Sequence, residues 1–195
     1  MRERQLSLTG KTALVCAEGD IRLATAVASI CVDAEARVAF AAKNYTEASE
    51  AVRSVKSQHG AAVIEALGAN LFDAGELNAL PAAAAETMGG LDVIVAISPA
   101  ALAEAMKKVL IGLAAAARPV VAPSASVVHI WTDGRDSDSF SPVAESPRTN
   151  SLILSATLTR ELERGKDRDA LAGPLLWLAG DQSFAARGQS LFLDI

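Results

Sequence analysis

Few side chains in this sequence are of a kind that does chemistry, and they are thinly spread. There are two histidines (His59, His129), two cysteines (Cys16, Cys31) and one tyrosine, Tyr45, with Ser49 four residues on. Asp133, Asp136 and Asp138 form a D-x-x-D-x-D run, the kind of oxygen-rich loop that can hold a divalent cation. It lacks the glycine and the distal glutamate of an EF-hand loop, so it reads as a solvated loop. His129 on a strand and His59 near a helix end have no third ligand at metal spacing, and both read as structural. Cys16 follows a strand, where the next helix's N-terminus could activate it. The simpler reading is that both cysteines, set in apolar stretches, are buried free thiols in a reducing compartment. No metal site is expected.

The elements that would position these groups alternate. Lys11 to Cys16 (KTALVC) is a short apolar run suited to a buried parallel strand. Ile21 to Val32 has helical spacing, with Leu23, Val27, Ile30 and Cys31 near one face. Arg37 to Ala42 is a second strand, Thr46 to Gln58 an amphipathic helix, and Ala61 to Gly68 a third strand. Asp73 caps a helix over Glu76 to Met88. Leu91 to Ile97 is a fourth strand, Ala100 to Ala117 an Ala-rich helix ending near Pro119, and Ser126 to Trp131 a fifth strand. Thr132 to Pro147 is polar and reads as a loop. The spacing then predicts a helix over Thr149 to Arg164, a second over Leu171 to Ala179, and a last strand over Gln189 to Leu193. Such alternation specifies an α/β fold, a doubly wound, Rossmann-like parallel sheet with helices on both faces.

The 195 residues are expected to form one domain, with no internal repeat and no dividing linker. A net charge of −5 and scattered lysines and arginines argue against nucleic-acid or anionic-membrane partners. No apolar run reaches the length of a membrane helix, and the start is too polar for a signal-peptide core. A cytoplasmic protein is expected.

Several phrases, in order, resemble the short-chain dehydrogenase/reductase superfamily over nearly the whole chain. They are LTGKTALV (8–15), LATAVA (23–28), ARVAFAAKN (36–44), GGLDVIV (89–95), SVVHI (126–130), LTREL (158–162) and the tail LLWLAGDQSFAARGQSLFLD (175–194). The resemblance implies a dinucleotide-binding fold and hydride chemistry, but the positions that carry them are degenerate. The family's first loop is T-G-x-x-x-G-x-G, which brings backbone close to a pyrophosphate at a helix N-terminus. Here Ala17, Asp20 and Arg22 stand where glycines should be, and only Gly19 survives nearby. Glu18 and Asp20 put carboxylates where phosphates would lie, and Asp20 is expected to cap the helix instead. The Asn-Asn-Ala-Gly motif corresponds to Ala96-Ile97-Ser98-Pro99, and Asn70 replaces the acid near the adenine. Lys43 matches a basic position of NADP-preferring members, but by itself reads as an exposed strand-end lysine. The family's tyrosine acts as general acid/base with a lysine four residues later, aided by a Ser and an Asn. No Y-x-x-x-K occurs here. Anchoring on LTREL puts Arg148 and Leu152 at the Tyr and Lys positions, Thr132 at the Ser position and Val109 at the Asn position. The family also sets a strand and a substrate-covering loop between its catalytic and closing helices. In this sequence only Glu163 to Ala172 joins the two predicted helices, so that segment is expected to be missing.

Taken together, the resemblance implies a non-catalytic subunit, without cofactor, that assembles with and supports a catalytic homologous dehydrogenase or with itself. Such an arrangement is similar to the hydroxyacyl-CoA dehydrogenase of benzylsuccinate β-oxidation in anaerobic toluene degradation, which combines active and inactive homologous subunits. Two alternatives stand beside it. One is an NAD- or NADP-dependent oxidoreductase with an atypical site using Thr132 or Arg148. The other is a ligand-binding regulatory module that uses the vacated crevice at the strand ends.

Overall fold

A computed structural model describes residues 6–134, 148–183 and 188–194 of the chain. Seven strands are β1 (Thr12–Ala17), β2 (Arg37–Ala42), β3 (Ile64–Gly68), β4 (Val93–Pro99), β5 (Ser126–Thr132), β6 (Arg148–Leu154) and β7 (Ser190–Leu193). Six helices are α1 (Ile21–Asp33), α2 (Tyr45–Gln58), α3 (Ala74–Met88), α4 (Ala103–Ala117), α5 (Ala156–Glu163) and α6 (Arg168–Ala179). The strands form one sheet in the order β3-β2-β1-β4-β5-β6-β7. Every neighbouring pair is parallel. The α/β, doubly wound architecture expected from the alternation is the one observed.

Both faces of the sheet are covered, which is why its strands read as unbroken apolar runs. Val15, Phe40, Val95, Ile130 and Leu152 point to the face packed by α1, α2, α5 and α6. Leu14, Ala39, Ile94, Val127 and Ile153 point to the other, where α3 and α4 lie. At about 1.5–3 kcal/mol for each large aliphatic side chain, these two layers supply most of the drive to fold. Two glycines permit close approach. A Cβ on Gly112 would sit 3.0 Å from Leu77 Cδ2, so α3 and α4 meet tightly there. One on Gly68 would come within 2.7 Å of the Tyr45 backbone nitrogen. No helix among the described residues is long and apolar enough to cross a membrane.

Most boundaries agree with the sequence reading to within about three residues, but one element does not. The helix expected over Thr149 to Arg164 is split: Arg148–Leu154 is strand β6, and only Ala156–Glu163 is helical. The spacing of Leu154, Leu158 and Leu162 mimicked one amphipathic face. Leu152-Ile153-Leu154 is in fact a strand buried on both sides, and Ser155 starts the helix, its Oγ accepting from Leu158 N at 3.1 Å. The polar residues Thr149, Asn150 and Ser151 hid the strand, yet all three are buried. Asn150 Oδ1 accepts from Gln189 N at 3.0 Å, tying β6 to the start of β7.

That correction moves the expected deletion. The strand expected to be missing before the closing helix is β6. The place for the family's catalytic helix therefore falls between β5 and β6, in residues 133–147, which contain neither tyrosine nor lysine. All but Asp133 and Gly134 of that stretch, with Asp136 and Asp138, lie outside the described residues.

Two buried polar groups on the sheet make the fold testable. Arg148 is 5% exposed, and its Nη2 donates to the carbonyls of Gly180 (2.9 Å) and Leu178 (3.3 Å) at the C-terminal end of α6. Ser126 Oγ and Ser183 Oγ donate to the same Leu178 carbonyl at 2.8 and 3.0 Å. Replacing Arg148 by Leu should cost about 2–4 kcal/mol, read as a lower urea midpoint with unchanged slope. A loss below about 0.5 kcal/mol would show that the clamp is ornamental. His129, beside Ser98 Oγ at 2.8 Å, is held neutral by burial, which drives its pKa from 6.5 down to about 3. Between those values only the unfolded chain takes up the proton, so stability falls as pH drops through that window. His129→Gln should flatten the loss seen between about pH 7 and pH 4 in urea titrations. An unchanged pH slope would refute this assignment.

Candidate functional site

The chain winds outward from β1 to β3, returns over α3 to β4 beside β1, and winds the other way. Loops leaving β1 and β4 therefore diverge, opening a crevice at the C-terminal strand ends, the usual ligand position in open α/β sheets. It has a volume of about 470 Å³ and is lined by Gly19 to Arg22, Pro99, Thr132, Asp133 and Glu163.

The loop after β1 builds the first wall. Ala17 ends the strand, 1% exposed, and Glu18 N donates to Ile97 O at 2.9 Å, pinning the loop to β4. Gly19 turns the chain at φ 92°. Asp20 is the N-cap of α1, its Oδ1 accepting from Leu23 N at 3.0 Å, as expected from the sequence. The carboxylate thus sits on the positive end of the helix, where a phosphate oxygen would otherwise be received. Burial pushes the Asp20 carboxyl above its ordinary pKa; the Leu23 N–H opposes this, while Glu163 and Asp133 add to it. Glu18 is also raised, first by burial, with Lys43 pulling it down and Glu47 pushing it up.

The remaining positions singled out in the sequence do not gather here. Val109 lies on α4, across the sheet, lining a groove with Leu71, Leu77 and Lys108. Arg148 pairs with Ser126 in the β5–β6 register, at the far end of β5 from Thr132. Six residues of strand separate those ends, about 20 Å. Leu152 is fully buried between Ile130 and Leu191. Anchoring on LTREL sets Arg148 and Leu152 at the degenerate Tyr and Lys positions within an expected helix, whereas both lie on strand β6. Of the four, only Thr132 reaches the crevice.

The other cofactor positions are similarly dispersed. Ala96 is an interior residue of β4. Asn70 Oδ1 accepts from Phe72 N at 3.1 Å, closing its own turn. Lys43 is exposed beyond β2. Tyr45 is the first residue of α2 rather than a turn residue, and is 65% exposed. Cys16 is not activated: burial raises its thiol to about 12, as it does that of Cys31. His59 Nδ1 meets Asp33 at 3.0 Å. Among the described residues no group of three His, Cys, Asp or Glu is placed to hold a metal ion.

What the sequence missed is the convergence of Asp133 and Glu163 on Asp20. The three are far apart in the chain, and Glu163 read only as the start of the link between two predicted helices. No local pattern signals that α5 would bring it against the start of α1. A dinucleotide does not fit this arrangement. The phosphate position is filled by the chain's own carboxylate, and two more acids stand beside it.

The cap and the charge of Asp20 can be separated. Asp20→Ala should lose about 1 kcal/mol with the capping bond. Asp20→Asn keeps an acceptor for Leu23 N and removes the charge facing Glu163 and Asp133. Because the folded-state pKa is raised, ionisation at neutral pH weighs against folding and is relieved as pH falls through the carboxylate range. Asp20→Asn should therefore match or exceed the parent at neutral pH in thermal melts. An asparagine as damaging as alanine would contradict this account.

No protein-family model matches the sequence, and no curated protein does either. Solved structures do. A dehydrogenase/reductase from Sinorhizobium meliloti superposes with a TM-score of 0.73 at 21% identity, over 97% of this chain and 95% of that one. A hydroxysteroid dehydrogenase from Escherichia coli gives 0.69 at 18% identity, over 96% of each chain. A short-chain dehydrogenase/reductase from Serratia marcescens gives 0.68 at 16% identity, over 96% of this chain and 97% of that one. At these identities the likeness is one of architecture: the chain has the fold of the short-chain dehydrogenases/reductases.

Proposed function

We propose that the chain is a shortened, degenerate member of the short-chain dehydrogenase/reductase superfamily that neither binds dinucleotide nor transfers hydride. In this reading it is a non-catalytic subunit that assembles with a catalytic homologous dehydrogenase and supports it. The observation that carries the reading is the Asp20 carboxylate on the N-terminus of α1, with Asp133 and Glu163 at its side. An incoming pyrophosphate would have to displace an attached acceptor and then face two like charges. The absence of any Y-x-x-x-K in the sequence supports the second half of the reading. Ile111 at 53% exposure on α4 and Trp177 at 37% on α6 leave apolar surface on both faces of the fold, in keeping with a partner. A hydroxyacyl-CoA dehydrogenase, paired as in benzylsuccinate β-oxidation, is the partner type suggested by the pattern of lost residues.

The alternative of an atypical oxidoreductase is weakened by Arg148, which is engaged at the opposite end of the sheet from Thr132. A ligand-binding module is favoured by one specific feature, the open crevice itself.

Calorimetric titration of the purified chain with NAD⁺, NADH, NADP⁺ and NADPH should give no saturable heat up to about millimolar nucleotide. Micromolar binding of any of the four would overturn the reading. Affinity purification from its native cell should then recover a homologue that retains the Tyr and Lys. A lone, stable homomer would remove the hetero-subunit part and leave the loss of chemistry standing.

A further inference from the structure

We draw no further inference here: the strongest candidate, the apolar groove where α3 meets α4, lined by Leu71, Phe72, Leu77 and Val109, carries nothing because nothing in the structure shows what covers it.

Discussion

A parallel pair of strands cannot be closed by a tight turn; its connection must travel back along a face of the sheet. Every neighbouring pair in this molecule is parallel, so this single constraint sets most of the architecture. It puts helices on both faces and buries the middle strands completely. It also forces the two halves of the winding to part company between β1 and β4. The crevice is the product of that parting and exists whatever residues surround it. Topology supplies the cleft, and a few side chains at its rim decide what the cleft prefers.

One of those side chains occupies the helix end itself. A helix N-terminus attracts negative charge, and in folds of this kind the attraction is available to a ligand. Here it is satisfied from within by Asp20. A tethered carboxylate loses no translational freedom on reaching the helix, an advantage that no free phosphate shares. Asp133 and Glu163 stand beside it in the same crevice, and both push the Asp20 carboxyl further above its ordinary pKa.

The fold was legible in the sequence because buried parallel strands are continuous apolar runs. KTALVC, RVAFAA and SVVHIW leave little room for another reading. The cap at Asp20 was equally legible, since capping is local: the acceptor and the donor lie three residues apart. What could not be read was anything that depended on a long-range contact. β6 opens with Arg148-Thr149-Asn150-Ser151, whose polarity argues for exposure, and only their partners in α6 and β7 reveal why they are inside. Anchoring on LTREL set Arg148 and Leu152 on a helix, whereas both lie in that strand, and the same misreading displaced the expected deletion. Asp133 and Glu163 escaped notice for a similar reason, since α5 packs against α1 only in the folded chain.

The convergence of Ser126, Arg148 and Ser183 on the last carbonyls of α6 has a dynamic consequence. The final turn of a helix ordinarily frays, its unpaired carbonyls exchanging partners with solvent. This one is fastened to the first residues of two adjacent strands, so α6 cannot loosen without disturbing the β5–β6 ladder. Its amide protons should exchange together with those of the central sheet, as one cooperative unit rather than as a mobile terminal layer. The outer helix nearest the end of the chain is therefore built to report on the integrity of the middle.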